Sequence, residues 1–401
     1  MHNKRRLQVA LYSHDSMGLG HFRRNWLIAN HLIRRGLAGR VRLFTGLEQP
    51  YRFPSLPGVE CVALPPLRKS LNGHYHPADP HDSLAALIGR RSQIIVQGIA
   101  SCPPDLFICD NVPRGIHGEL EAALVWMRRR ATTRCVFGMR DILDAPQPTR
   151  VEWRHRRNFT ALRRFYDEIW VYGDQTFFDP VSEYRFPPDI AAKTRFTGYL
   201  RRDSASGYAD CLPDPALRAP ELPRKYVLCN VGGGQDGVRV VEQFCQIVPP
   251  DGVEAVVLTG PFFPETALRQ VQDACAAPVL RRRWLRFHPC PGALLRHAVA
   301  VVSMAGYNSV SEILSYRKPA LLIPRIKPRL EQAERARRLA ERGLAQVCDP
   351  RRLTPQRLQQ WFSEVVAAPP KVVPDVDFDG FGRIETFVSA LFEVQPSANR
   401  A

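Results

Sequence analysis

The feature of this sequence that most constrains its fold is a regular alternation of short apolar, β-rich runs with helical stretches. Six such runs lie in the first half: LQVALYS (7–13), VRLFTG (41–46), VECVALP (59–65), PDLFICD (104–110), RCVFGMRD (134–141) and DEIWVYG (167–173). Five more lie in the second half: KYVLCNV (225–231), VEAVVLTG (253–260), WLRFHP (284–289), VAVVSM (299–304) and KPALLIP (318–324). Strands that alternate with helices are typical of a parallel, doubly wound sheet, and here the pattern starts twice. The sequence therefore predicts an α/β protein of two Rossmann-like, doubly wound domains facing a cleft.

The interruption between the two patterns predicts the domain boundaries. At 401 residues the chain is too long for one typical core. Residues 197–225 are rich in Pro, Ser, Gly and Asp, a composition that indicates a linker. We expect a first domain over 1–200, a linker over 201–224 and a second domain over 225–374. We also expect residues 375–401 to form a final helix that packs back on the first domain.

Composition limits the class of protein. The formal net charge of +17 favours anionic ligands such as nucleotides or anionic lipid surfaces. No basic motif interleaved with aromatic residues occurs, which disfavours specific binding of nucleic acid. The ten cysteines are scattered without a C-x-x-C pair, as expected for reduced thiols in a reducing compartment. No apolar run approaches the about 20 residues of a membrane-spanning helix, so we expect a cytoplasmic protein.

The glycine turn VGGGQDG follows the first strand of the second half. Its spacing matches the G-x-G-x-x-G dinucleotide fingerprint, with Gly232 and Gly234 in the first two positions. The next strand ends in Thr259-Gly260, without the carboxylate that would hold a ribose, which disfavours NAD. Glycines still let the backbone approach a ligand, and a helix N-terminus favours an anion. A tight turn without a ligand is the alternative.

A second turn, SMAGYNSVSEIL (303–314), joins an apolar strand to a helix through Gly306. Asn308 or Ser309 can cap this helix or meet a phosphate. Glu312 lies about one turn further, where a carboxylate can accept two hydrogen bonds from a ribose diol. After the following strand, Arg325 lies in a loop, and the next helix begins with the polar residues 331 and 332. Such groups at a sheet's carboxyl edge are well placed to bind sugar hydroxyls.

The first strand also ends in a glycine turn, SHDSMGLGHFRRN. Gly18 and Gly20 permit close approach of a ligand. His21 at the helix start is the type of side chain best able to take a proton near neutral pH, although a structural role is the alternative. Arg23 and Arg24 in the first turn oppose the helix dipole, which suggests that they have another function.

These motifs resemble a known family. VGGGQDG, SMAGYNSVSEIL, KPALLIPR and RLEQAERARRLAERGLA, in this order and spacing, resemble the C-terminal domain of GT-B glycosyltransferases, most closely family 28. That family includes the peptidoglycan N-acetylglucosaminyltransferase, which works on a lipid-linked acceptor. GLGH resembles its glycine-rich N-domain loop, which has one more glycine before the histidine. YSHDSMGLGHFRRN, GMRDILD and DEIWVYGDQTFFDP resemble a group of bacterial predicted glycosyltransferases without established substrates.

The resemblance implies a donor site in the second domain and an acceptor site in the first. It implies that Glu312 holds the ribose and that Glu331 and Gln332 contact the donor sugar. The donor-binding set that we predict is Gly232, Gly233, Gly234, Gly306, Asn308, Ser309, Glu312, Arg325, Glu331 and Gln332. Because the N-domain loop departs from the family's pattern, acceptor contacts do not transfer.

The implied reaction is displacement of a nucleoside diphosphate, most simply UDP, from the anomeric carbon of a hexose-type sugar, with inversion. Helix N-termini and arginines can meet the leaving-group charge, so we expect neither a metal nor a cofactor. We predict His21 as the base, Asp110 as its orienting partner or rival, and Asp141 as a weaker rival. A lipid-linked acceptor at the inner face of the membrane fits the resemblance and the arginine content.

Two other functions remain open from the sequence. Sugar-nucleotide 2-epimerases share this architecture and act on the donor itself, and a basic nucleotide- or nucleic-acid-binding protein would need no catalysis. Two apparent metal motifs are weak. DVDFD (375–379) lies in a late loop, and NGHYHPADPHD (72–82) lies in a Pro-rich loop without fixed geometry.

Overall fold

The computed structural model describes residues 6–14, 19–48, 50, 53, 55–69, 75–77, 79, 81–201, 222–275, 282–368 and 375–392. The chain divides into two compact units. Unit 1 comprises Met1–Leu200 together with Val376–Ala401, and unit 2 comprises Arg201–Asp375. Most of the predicted linker, residues 202–221, lies outside the described residues. Among the described helices, none is both long and apolar enough to cross a bilayer.

Unit 1 is built on a parallel sheet. Its strands within the described residues are β1 (Leu7–Tyr12), β2 (Ala38–Thr45), β3 (Val59–Ala63), β4 (Leu67–Lys69), β5 (Tyr75–Pro77), β6 (Leu106–Asp110), β7 (Arg134–Arg140), β8 (Glu168–Tyr172) and β9 (Thr194–Phe196). The parallel order is β3-β2-β1-β6-β7-β8-β9, while β4 and β5 pair as a separate antiparallel hairpin. The strand order reverses between β1 and β6, and such a switch point is where ligands bind in open α/β sheets.

Helices connect these parallel strands. They are α1 (Gly20–Arg34), α2 (Leu84–Ser101), α3 (Glu121–Arg130), α4 (Pro146–His155), α5 (Asn158–Phe165), α6 (Pro180–Glu183) and α7 (Pro188–Ala191). Both β6 and β8 are buried along their whole length. A parallel sheet is covered on both faces by its crossover helices, which explains why these strands appear as continuous apolar runs in the sequence.

Unit 2 repeats the architecture. Its strands are β10 (Tyr226–Asn230), β11 (Glu254–Leu258), β12 (Arg282–Leu285), β13 (Ala298–Ser303), β14 (Ala320–Leu322) and β15 (Gln346–Val347). All pair in parallel, in the order β12-β11-β10-β13-β14-β15. Its helices are α8 (Val238–Phe244), α9 (Glu265–Ala274), α10 (Pro291–His297), α11 (Tyr307–Ser315), α12 (Glu331–Glu341) and α13 (Pro355–Ala367). The predicted class, an α/β protein of two Rossmann-like domains, is confirmed.

The last helix, α14 (Gly380–Phe392), belongs to unit 1. It packs against the end of α1, where His31 and Arg35 both contact Glu385, at 2.8 Å from Nε2 and 3.0 Å from Nε. The His31 ring stacks on Phe381 with centroids 4.5 Å apart. Two apolar side chains of this helix, Ile384 and Val388, are fully buried. This helix therefore completes the core of unit 1.

Candidate active site

In unit 2, two glycine loops meet beyond the carboxyl ends of β10 and β11. Gly260 has φ +87°, and a Cβ built there would lie 2.2 Å from the Gly232 carbonyl oxygen. The Phe262 N–H donates to the Gly233 carbonyl at 2.9 Å, and the Gly232 N–H donates to Asn230 Oδ1 at 3.0 Å. Because backbone packs directly on backbone, a side chain at position 260 has no room. Gly260 was not among the predicted site residues; it was mentioned only because its strand ends without a carboxylate.

The first turn of α11 lies against the same loop. The Ser309 Oγ is 3.9 Å from where a Cβ on Gly232 would stand, so Ser309 faces the glycine turn. Gly306 is the N-cap of α11, and a Cβ there would meet nothing within 4 Å. Asn308 is half-buried on the same turn. The first N–H groups of a helix lack intrahelical acceptors and carry a partial positive charge, so this turn is suited to an anion.

Glu312 lies one turn further along α11 and is only 1% exposed. A carboxylate this enclosed needs partners for its oxygens, because burial of an uncompensated charge is costly. The contact between Glu312 and a ribose stays a prediction.

Arg325 contacts three polar residues of unit 2. Glu331 and Gln332 belong to the predicted donor-binding set, and Asp236 does not. Its Nη2 donates to Glu331 Oε1 at 2.6 Å, and its backbone N–H donates to Gln332 Oε1 at 3.0 Å. Its Nη1 donates to Asp236 Oδ2 at 2.8 Å. Burial opposes the charged form of Arg325, but the Glu331 and Asp236 carboxylates raise its pKa above the ordinary value. Asp236 was not among the predicted site residues, although it lies within the VGGGQDG turn.

In unit 1, His21 and Arg24 of α1 both contact Asp110 at the end of β6. His21 Nδ1 lies 2.8 Å from Asp110 Oδ2, and Arg24 Nη2 donates to both carboxylate oxygens, at 2.5 and 2.7 Å. Asp110 is fully buried and the His21 side chain is 16% exposed. With Nδ1 turned to the carboxylate, the other ring nitrogen of His21 can accept a proton. The position of Arg24 in the first turn of α1 suggested another function, but the sequence did not identify Asp110 as its partner.

The pKa shifts of this pair follow from burial and charge. Burial alone would raise the pKa of the Asp110 carboxyl, but Arg24 and His21 hold it at about 2, so it is ionised. Burial lowers the pKa of the His21 imidazole below its ordinary 6.5, and Arg24 and Arg140 lower it further, while Asp110 opposes them. His21 is therefore neutral at neutral pH, the state that a general base requires.

Three further ring side chains form a series of contacts that begins at His21. His14, just after β1, has its ring centroid 5.7 Å from that of His21, and its Nε2 is 2.9 Å from the Tyr75 hydroxyl. The Tyr75 ring is in turn 5.6 Å from the ring of His117, a residue with φ +47°. His14 and His117 were not among the predicted site residues. Only the position of His14 directly after a buried strand could have indicated it.

Asp141, the other candidate base, is fully buried after β7. Its Oδ2 accepts from the Tyr199 hydroxyl at 2.5 Å and its Oδ1 accepts from the Ile142 N–H at 2.7 Å. These contacts suit a carboxylate that holds the backbone in place. Of the two glycines predicted in the first loop, Gly20 begins α1 and Gly18 lies outside the described residues.

The two apparent metal motifs have ordinary contacts where the structure describes them. Asp377 of DVDFD contacts Arg383 at 2.5 Å, and its backbone N–H donates to Asp174. Asp82 of the Pro-rich loop pairs with Arg90. Across the described ranges, His, Cys, Asp and Glu form no group of three or more suited to a metal ion.

Residues 254–375 match the sequence model of the glycosyltransferase family 28 C-terminal domain. No curated protein matches the sequence. Solved structures with similar folds include the calicheamicin glycosyltransferase CalG4, at 16% identity and TM-score 0.59, over 97% of this chain and 99% of that chain. MurG of Acinetobacter baumannii is 14% identical with TM-score 0.55, over 96% and 99%. A Listeria monocytogenes structure described as a UDP-N-acetylglucosamine 2-epimerase is 14% identical with TM-score 0.63, over 99% and 100%.

The family match covers most of unit 2, and the structural likenesses extend over the whole chain. At these identities the solved structures establish the fold alone, which is GT-B. The resemblance to family 28 is confirmed for residues 254–375. The family match supports sugar transfer, and the named functions of the structural neighbours include both glycosyltransferases and epimerases.

Proposed function

We propose that this protein is a glycosyltransferase that moves a hexose-type sugar from a UDP-sugar to a hydroxyl acceptor, with inversion and without a metal. The observation that carries the proposal is the family 28 match of residues 254–375, because it covers the part of unit 2 that contains Gly306, Glu312 and the Arg325 contacts. A glycine turn and a helix N-terminus beside the same sheet edge suit a diphosphate.

In this proposal unit 2 holds the donor. The diphosphate lies at the first turn of α11 beside the glycine turn of Gly232–Gly234, and Glu312 binds the ribose. Glu331 and Gln332 contact the sugar. The helix N-terminus stabilises the negative charge that the departing UDP develops, as preorganised donors do in a transition state.

Unit 1 supplies the base. The acceptor oxygen forms a bond to the anomeric carbon while the bond from that carbon to the UDP oxygen breaks. The acceptor proton passes to Nε2 of His21, and the Asp110 carboxylate at Nδ1 stabilises the resulting imidazolium, in the manner of a histidine–carboxylate pair. Asp141 takes no part in this scheme, because both of its oxygens already accept hydrogen bonds.

A thermal-shift panel of nucleoside diphosphates and sugar nucleotides tests the donor site. A ligand at 100 times its Kd stabilises the native state by about 2.7 kcal/mol. We expect UDP and at least one UDP-sugar to raise the melting temperature. If no member of the panel does so, the proposal is wrong.

Incubation with the donor alone separates the proposal from its enzymatic alternative. A 2-epimerase converts the UDP-sugar into its C2 epimer without an acceptor. A transferase without its acceptor leaves the donor unchanged at C2, apart from slow transfer of the sugar to water, which gives UDP and free sugar. The alternative deserves this test because two solved structures with the same fold are described as UDP-N-acetylglucosamine 2-epimerases, with TM-scores of 0.63 and 0.62. Detection of the epimer would replace transfer by epimerisation as the function.

We also propose that the acceptor is lipid-linked and that the protein binds the membrane surface from the cytoplasm. A groove of about 660 Å³ between α2, α3 and α5 supports this, since Trp126 lies on its lining with Arg129, Arg130 and Arg164. Aromatic and cationic side chains together suit an anionic interface. We expect co-sedimentation with vesicles that contain phosphatidylglycerol, and none with pure phosphatidylcholine. Equal binding to both would contradict this part of the proposal.

A further inference from the structure

We propose that Asp236 is a positioning residue for the donor sugar. It orients Glu331 through the guanidinium of Arg325 and has no direct role in holding the nucleotide. This proposal rests on the donor site of unit 2 described above. It assigns a function to a carboxylate that the glycine turn places beside a site for an anionic ligand.

The geometry links two separate elements through one guanidinium. Arg325 Nη1 binds Asp236 on the glycine turn at 2.8 Å, and Nη2 binds Glu331 at the start of α12 at 2.6 Å. The backbone N–H of Arg325 donates to Gln332 Oε1 at 3.0 Å. Since a guanidinium is planar and its donors have a fixed fork geometry, a change in its contact with Asp236 also changes its orientation toward Glu331. Asp236 thus fixes the direction of Glu331, one of the two side chains proposed to contact the sugar, while the backbone of Arg325 holds Gln332 independently.

Exposure indicates that stability is not the main effect of this contact. The Asp236 and Arg325 side chains are 30% and 22% exposed, whereas Glu331 is 5% exposed. Ion pairs that reach solvent add little to folding stability, so loss of Asp236 should leave the protein folded. Asp236, which orients, is therefore partly exposed, whereas Glu331, which is oriented, is buried.

We expect the replacement Asp236→Asn to affect the binding of UDP and of a UDP-sugar differently. Replacing Asp236 with Asn removes a negative charge near the proposed diphosphate position, which leaves the binding of UDP unchanged or slightly improves it. The same replacement loosens the orientation of Glu331, which weakens the binding of the sugar only. The ratio of the two dissociation constants therefore reports positioning separately from nucleotide binding.

Calorimetric titration of the full-length protein with UDP, UDP-glucose and UDP-N-acetylglucosamine tests the proposal. For Asp236→Asn we expect the ratio of Kd for the tighter UDP-sugar to Kd for UDP to rise about threefold to tenfold. Asp236→Glu, which keeps the carboxylate, should restore part of the wild-type ratio. Glu254→Gln is the control, because Glu254 pairs with Arg283 in a more exposed contact at the opposite, amino-terminal end of β11.

An unchanged ratio in Asp236→Asn would overturn the proposal. A parallel loss of affinity for UDP and the UDP-sugar would also overturn it, since Asp236 would then serve the fold of the glycine turn. If the wild-type protein binds neither ligand, the donor site itself is wrong, and that failure is visible before any variant is made.

Discussion

At the residue scale, the proposed contact between Glu312 and a ribose can be tested with a ligand as well as a variant. The Glu312 side chain is almost fully buried. Hydrogen bonds to a charged group contribute about 1.5–3 kcal/mol each, so Glu312→Gln should weaken UDP binding by roughly 10- to 100-fold. Wild-type protein should also bind 2′-deoxy-UDP more weakly than UDP, and Glu312→Gln should reduce that difference. Calorimetric titration measures all four constants.

Glu341→Gln is the control for this prediction, because Glu341 is an exposed carboxylate at the end of α12. The ribose assignment fails if Glu312→Gln discriminates UDP from 2′-deoxy-UDP as well as wild type does. A non-catalytic protein that binds through phosphate contacts alone would give that result, together with affinity that salt abolishes.

The pH dependence of transfer tests His21 and Asp110 together. His21 must be neutral to accept a proton, and its pKa lies below 6.5, so the rate should be full at neutral pH and fall only below that value. Asp110 is the influence that raises the pKa of His21. Asp110→Asn should therefore move the acidic limb of the kcat profile to lower pH. It should also lower kcat by roughly 10²- to 10⁴-fold, because the imidazole loses its orienting carboxylate.

His155→Ala serves as a control for this profile, since His155 is an exposed residue at the end of α4. An acidic limb that stays in place in Asp110→Asn, with only the rate reduced, would show that another group titrates. Asp141→Asn should leave the position of the limb unchanged.

At the scale of elements, the packing of the two glycine loops predicts a large cost for one methyl group. Gly260→Ala adds a Cβ 2.2 Å from a carbonyl oxygen at φ +87°, and we expect it to destabilise unit 2 by about 2–5 kcal/mol. Gly252→Ala is the matched control, with φ +76° and nothing within 4 Å of the added Cβ. It should cost only about 1–2 kcal/mol, the conformational part.

Denaturant unfolding of both variants gives the difference between them, which isolates the steric contact from the backbone strain. Equal losses in Gly260→Ala and Gly252→Ala would mean that the two loops do not pack as described. UDP binding should fall in Gly260→Ala alone.

The sequence predicted the buried central elements better than the edges. Strands such as β6 and β10 are apolar along their length, because both faces of a parallel sheet are covered. β12 was expected over 284–289 but spans Arg282–Leu285, where arginines on a partly exposed strand dilute the apolar signal. The edge strands β9 and β15 were missed, since three and two residues carry too little pattern to detect.

In the candidate site, too, some features could be predicted from the sequence and others could not. Glycine turns and helix starts could be located, because a strand, a small residue and a helix are adjacent in sequence. The contacts of Arg24 with Asp110 and of Arg325 with Asp236 could not be predicted, because the two residues of each pair are 86 and 89 positions apart in the sequence. Only the folded sheet brings the ends of separate strands to one edge.

At the scale of the whole molecule, the two units should unfold as separable transitions. Each has its own sheet and core, with Trp170 buried in unit 1 and Phe362 in unit 2. In scanning calorimetry, Phe362→Leu should lower one transition and Trp170→Phe the other. UDP at 100 times its Kd should raise only the transition that Phe362→Leu lowers, by roughly 5–10 °C. A UDP effect on the other transition would place the nucleotide in unit 1.

The path of the chain means that unit 1 is finished last, although it starts first. Its final helix, α14, follows Asp375, so the 175 residues of unit 2 are synthesised before it. At typical elongation rates, the flank of α1 that receives Phe381 and Glu385 stays uncovered on the ribosome for roughly 9–35 s. Truncation before Gly380 would consequently damage unit 1, although the cut lies in sequence beyond the whole of unit 2.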